Sequence, residues 1–238
     1  MVIEALPEDD LRHTAASLDD RLLFGILAAA LPVPAAIALG IGYQTIVTGG
    51  EYGVVGKNIT YGVSSLLVVG LVYVALGQPE RNAVFRFTRP SKSELTWAFL
   101  GFPIGTALYV GVSAATRAAG LTIGGYEYTL TDPVTVAAVI FGAVLVTPFA
   151  EELLFRGLVL GSVLSRGAHP IVAGGASILA FGLIHVALLG VAGVIVTCCW
   201  AVVLTVLRLR YDNLTGAWLV HQINNLWAYL GVVALGLS

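Results

Sequence analysis

Seven long apolar runs constrain this chain more than any other feature: residues 22–47, 59–77, 95–116, 134–164, 171–189, 191–207 and 214–237. A helix needs about 20 apolar residues to cross the hydrocarbon core of a bilayer. Hydrophobic residues make up 58% of the chain and charged residues 11%, less than half of the roughly 25% charge in ordinary soluble domains. Such a chain has too few polar groups to cover a water-facing surface. The fold class expected is therefore all-α, a polytopic membrane helix bundle of about seven (seven to eight) transmembrane helices. The fourth run is longer than a simple crossing needs and holds Pro148 in its middle, which predicts a tilt, kink or protrusion there.

Composition also excludes several functions. The formal net charge is −2, with no basic stripe to follow a phosphate backbone, so nucleic acid is not an expected partner. Cys198 and Cys199 are neighbours in one apolar run and point about 100° apart on a helix, which suits neither a disulfide nor a thiolate zinc site. The N-terminal stretch is acidic (Glu4, Glu8, Asp9, Asp10, Asp19, Asp20). It lacks the basic region of a cleavable signal peptide, so the first apolar run is expected to stay as a membrane helix.

Residues 1–21 are expected to form an acidic cytoplasmic tail and 22–238 a single transmembrane domain, with its chemical core at about 134–238. With the N-terminus in the cytoplasm, ten of the twelve lysines and arginines fall on the inner side, leaving Lys57 and Arg117 outside. That asymmetry is the topology signal of an integral protein of the cell membrane. The acidic tail fits a salt-adapted prokaryote. Capping signals mark the helix starts: Ser91 with Glu94 as a capping box, Asp132 before Pro133, and Asp212-Asn213 before the last run.

Ionisable residues are distributed unevenly. The first three runs hold no Asp, Glu, Lys, Arg or His, whereas the fourth holds Glu151, Glu152 and Arg156, the fifth His185, and the last His221 with Gln222, Asn224 and Asn225. A charge at a helix centre costs about 2.5–3.5 kcal/mol on insertion scales, so these residues read as functional. Glu152 and Arg156 are four apart and share a face, where they can pair. Glu151 lies about 100° round the helix, out of reach of the same partner, and suits a general base. Phe181 and His185 share one face, and His221 and Asn225 another. An imidazole and a carboxamide together can clamp an oxyanion. Gln222 and Asn224 point elsewhere and read as interhelical glue.

The ordered set Glu-Glu-x-x-x-Arg (Glu151, Glu152, Arg156), Phe-x-x-x-His (Phe181, His185) and His-x-x-x-Asn (His221, Asn225) resembles the CPBP family of intramembrane proteases. These are relatives of the CAAX prenyl endopeptidases and of bacteriocin-processing or immunity proteins. The resemblance covers roughly residue 134 to the C-terminus and implies an intramembrane endopeptidase with its cavity at membrane depth. It implies that Glu151 and His185 activate a water, that His221 and Asn225 stabilise the oxyanion, and that Glu152, Arg156 and Phe181 support the geometry. The implied partners are a membrane-associated protein or peptide substrate and the lipid bilayer.

The motif His-Glu-x-x-His of helical zinc proteases is absent. A divalent metal such as zinc would have to use Glu151, His185 and His221 from three helices; the reading favours no metal and no cofactor. Two other functions compete: a proton- or ion-coupled transporter, since membrane carboxylates and histidines serve relays, and a non-catalytic scaffold of the same fold. The ion-free first half argues against a transporter built from inverted repeats.

Overall fold

The computed structural model describes residues 8–48, 52–125 and 127–236. Residues 1–7 of the expected tail and position 237 of the last run lie outside them. All regular structure among the described residues is helical. The long helices are α2 (Leu22–Ile46), α3 (Val54–Ala75), α5 (Lys92–Ala118), α6 (Pro133–Ser165) and α8 (Val186–Tyr211), each long and apolar enough to cross a membrane. Shorter ones are α1 (Glu8–Ala15), α4 (Gln78–Val84), α7 (Pro170–Ile184) and α9 (Thr215–Leu226).

Among the described residues five helices thus meet the length and apolarity of a full span, where seven were expected. The other two expected spans differ for local reasons. Gly190, with φ 69° and ψ −170°, breaks the helical path inside α8, a conformation open to glycine because it has no Cβ. The fifth apolar run is divided earlier, at His185: α7 ends at Ile184, and the turn between His185 and Gly190 belongs to α8. The last run keeps its helical path through a π-helical turn, Trp227–Gly231, and the short segment Val232–Ala234. Its polar residues Gln222, Asn224 and Asn225 dilute its apolar character.

α6 is the most enclosed of the long helices. It stays continuous through Pro148 by widening, with π-helical stretches Ile140–Val146 and Glu152–Val159 on either side of Thr147–Glu151. A proline cannot donate to the carbonyl four residues back, here Val144. The Gln222 side chain from α9 donates to that carbonyl instead, at 2.5 Å. Such widened turns recur at functional sites.

Lipid tails are as apolar as leucine, so helices associate in a bilayer through close packing and hydrogen bonds. Gly142 on α6 supplies one such approach: a Cβ there would fall on the Asn58 carbonyl oxygen of α3. This contact brings the middle of α3 against the middle of α6.

Three of the basic residues assigned to one side, Arg12, Arg86 and Arg166, tie neighbouring segments together. Arg12 donates to the Gly167 carbonyl at 2.9 Å, Arg166 to that of Asp19 at 3.0 Å, and Arg86 to that of Asp212 at 2.6 Å. The acidic stretch is partly ordered here: Leu11, Ala15 and Leu18 are buried, the first two packing with Leu160 and Leu164 of α6. Asp132 caps α6, accepting from the Val134 and Thr135 amides. Ser91 accepts from Glu94 N at 3.1 Å, but the Glu94 carboxylate does not return to close the box. It accepts from Gly216 N at the start of α9, at 2.8 Å. Of Asp212 and Asn213, only Asn213 caps α9, through Thr215 N, while Asp212 accepts from Arg208.

Candidate active site

The widened middle of α6 presents Glu151 and Glu152 to different partners. Glu152 is fully buried, and its Oε1 accepts from Arg156 Nη1 at 3.1 Å and from His221 Nδ1 at 2.7 Å. Glu151 has neither of these bonds. Its Oε1 accepts from the Tyr61 hydroxyl at 2.9 Å, and its Oε2 lies 3.6 Å from His221 Nε2. His221 therefore stands between the two carboxylates, with α9 delivering it and α6 supplying both acids.

Hydrogen-bond direction fixes both histidine tautomers. His185, at the end of α7, contacts the Phe181 carbonyl through Nδ1 at 2.8 Å. A carbonyl only accepts, so Nδ1 carries the proton, and neutral His185 keeps Nε2 bare. His221 Nδ1 faces a carboxylate and likewise donates. Its Nε2 and Glu151 Oε2 then confront each other as two acceptors unless one proton is shared between them.

Phe181 is the hub of the apolar support. The Arg156 guanidinium lies 4.4 Å from its ring centre, and the His185 ring 4.7 Å away. Cation–π contact of this kind is stronger where water is excluded. Phe181 also meets His221 edge-on at 6.0 Å, and Trp200 packs its ring against His221 at 4.9 Å.

A cavity of about 450 Å³ opens beside these groups. Glu151, His185, Tyr61 and Thr147 line it, with apolar residues of α2 and α8 forming most of the remaining wall. His221 and Asn225 are not among its lining residues. Asn225 Nδ2 donates to the Ala143 carbonyl at 2.8 Å, and Asn224 Nδ2 to Asn225 Oδ1 at 3.3 Å. The structure thus brings Glu151, Glu152, Arg156, Phe181, His185 and His221 into one connected group, with Asn225 tied to α6 one helical segment away. Among the described residues, no group of three His, Cys, Asp or Glu side chains has an arrangement that would hold a metal ion. In both histidines Nδ1 is bonded, that of His221 to Glu152 and that of His185 to the Phe181 carbonyl, which leaves Nε2 as the nitrogen that turns toward other groups.

Two contributors escaped the sequence reading. Tyr61 was passed over because the first three runs hold no residue of formal charge, yet its hydroxyl is the donor to Glu151. A stripe of polar residues at helical spacing, Asn58, Tyr61 and Ser65, was the available signal. Trp200 carried none, being one aromatic among many apolar neighbours.

No curated protein and no solved structure matches the chain. Residues 133–227, which hold all seven motif residues, match the family model described as Type II CAAX prenyl endopeptidase Rce1-like. The chain is an integral membrane protein whose residues 133–227 are similar to the Rce1-like family.

Proposed function

We propose that this protein is an intramembrane endopeptidase that hydrolyses a peptide bond in a membrane-associated protein or peptide. The observation that carries the reading is that Glu151 and His185, the latter with Nε2 bare, line the wall of one largely apolar cavity. Glu151 removes a proton from a water as its oxygen bonds to the substrate carbonyl carbon, while His185 Nε2 accepts from the other hydrogen and orients the attack. The proton held by Glu151 passes to the amide nitrogen as the C–N bond breaks, giving a carboxylic acid and an amine.

His221, with Glu152 behind its Nδ1, is built to carry positive charge at Nε2, and Asn225 keeps one N–H beyond the bond to Ala143. His221 lies behind the cavity wall, 3.6 Å from Glu151. The developing oxyanion therefore meets it and Asn225 only where the substrate carbonyl passes beyond that wall beside Glu151. Interactions that strengthen only in the transition state raise turnover. The reaction as written needs no metal. The lysine and arginine asymmetry supports a topology with the N-terminus on the cytoplasmic side.

The test is proteolysis by the full chain reconstituted in lipid vesicles, comparing wild type with Glu151→Gln. Hydrolysis should fall by at least ~10², with thermal stability kept. Activity within a factor of two of wild type removes Glu151 as the base. Chelators should leave the rate unchanged; loss of activity that added zinc restores would replace this mechanism by a metal-dependent one.

A further inference from the structure

Arg208 belongs by sequence to the basic residues of the inner side, and arginines there usually keep their charged heads in water. It is instead only 2% exposed. A guanidinium so enclosed needs partners for its donors. Arg208 Nη1 donates to Asp212 Oδ1 at 2.7 Å, and Arg208 Nε to the Arg156 main-chain carbonyl at 3.3 Å.

Asp212 holds its end of this pair in a conformation that disfavours a side chain. It closes α8 in the left-handed region, with φ 47° and ψ 36°. Among the described residues, no other residue except glycine has a positive φ. Glycine adopts this turn without strain. What aspartate supplies instead is a carboxylate used on both oxygens. Oδ1 holds Arg208, while Oδ2 accepts from Thr14 Oγ1 of α1 at 2.7 Å, with Arg86 Nε 3.5 Å away. A backbone outlier kept where an easier residue exists points to a function.

The bond to Arg156 shows where this hold is applied. Arg156 Nη2 reaches the Ala201 carbonyl of α8 at 3.5 Å, so each helix sends an arginine to a carbonyl of the other. Arg156 is thereby held at both ends. Arg208 takes its main chain, and Glu152 Oε1 takes its guanidinium through the same oxygen that receives His221 Nδ1. The contacts run unbroken from Asp212 to His221.

We infer that Arg208, locked by Asp212, is a positioning residue for the hydrolytic site. By fixing the Arg156 main chain in the widened stretch of α6, it sets where the guanidinium meets Glu152, and so the angle of the His221 ring against Glu151. The assignment rests on the endopeptidase reading and adds to it a hold on the imidazole from outside the cavity.

Two measurements on the full chain test this. The first is magnetic resonance of the detergent-solubilised protein with isotope-labelled histidine, in which the His221 Nδ1–H signal is identified by its loss in His221→Gln. Wild type should show that proton far downfield, as for an imidazole donating to a carboxylate. Arg208→Met with Asp212→Asn removes both charges and strands neither, and asparagine tolerates the left-handed turn. In this paired variant the signal should move upfield while melting stays near wild type. Arg208→Lys keeps the charge beside Asp212 but loses the planar fork that serves two acceptors, and decides on the same signal if the paired variant fails to fold. A signal unchanged from wild type, or no downfield signal in wild type, overturns the assignment.

The second is peptide hydrolysis in vesicles. Arg208→Lys and the paired variant should each lower kcat at least about tenfold and leave KM within about threefold. A merely structural pair would return kcat to wild type in the paired variant along with melting, and that result also overturns the inference. Hydrolysis that survives Glu151→Gln defeats the endopeptidase reading itself, and the histidine signal then still decides whether Arg208 sets the ring.

Discussion

Glu152 and His221 meet through one oxygen: Glu152 Oε1 accepts from His221 Nδ1 at 2.7 Å while the same atom also takes Arg156 Nη1 at 3.1 Å. The carboxylate sets the tautomer and the angle of the imidazole, and the guanidinium balances the charge behind it.

Glu152→Gln keeps an oxygen for His221 Nδ1 but removes the charge. An orienting partner of this kind is worth about 10–100-fold, so turnover should fall by that factor with the helix content intact. Vesicle proteolysis with circular dichroism checks it, and full activity would show that His221 needs no carboxylate behind it.

Arg156→Ala strands Glu152 as a buried charge in a site where both partners are fully enclosed. Removing one member of such a pair costs about 3–5 kcal/mol. Glu152→Gln with Arg156→Met removes both charges, and the amide oxygen still receives His221. Thermal unfolding should find the double variant more stable than Arg156→Ala; equal stabilities would mean that the two side chains are not energetic partners.

Tyr61→Phe deletes only the donor to Glu151 Oε1. The carboxylate then turns freely about its last bond, and its attack geometry is lost in a fraction of encounters. We expect kcat to fall about tenfold with KM near wild type and a stability loss of about 1 kcal/mol. A rise in KM at constant kcat would instead make Tyr61 a substrate contact.

Outside the spans, Glu80 on α4 accepts from Arg21 Nε at 2.5 Å and from Gly77 N at 2.5 Å. Burial alone pushes its carboxyl up, but the Arg21 hydrogen bond, the Gly77 amide and the Arg21 charge together hold it below its ordinary value. A folded-state value below the unfolded one stabilises the protein above the unfolded value, roughly 4.3 for a glutamate. That contribution is lost as pH falls through the folded value. Melting followed from about pH 7 to about pH 3 should drop more steeply for wild type than for Glu80→Gln. Parallel curves would remove the pair from the acid response.

The spacing of charges on α6, α7 and α9 made Glu151, Glu152, Arg156, His185 and His221 legible, because an ion inside an apolar run has few reasons to be there. Apolarity likewise made the long helices legible. Tyr61 was hidden because tyrosine carries no formal charge and is counted among the hydrophobic residues, while its hydroxyl acts as a polar group. The course of α6 through Pro148 depends on Gln222, an amide seventy-eight residues beyond the Val144 carbonyl it holds, which local propensity cannot register. Glu94 shows the same limit: its capping box with Ser91 is half made because Gly216 N competes for the carboxylate.

The pairing of Glu152 with Arg156 within a single helix bears on how the chain reaches the bilayer during synthesis. His221 is 69 residues further along, so it cannot assist while α6 is being handed to the lipid. An acid and a base four residues apart neutralise each other without help from any later segment. α6 can therefore be released from the insertion machinery with that pair already compensated, and Glu151 alone must wait for its companions from neighbouring helices.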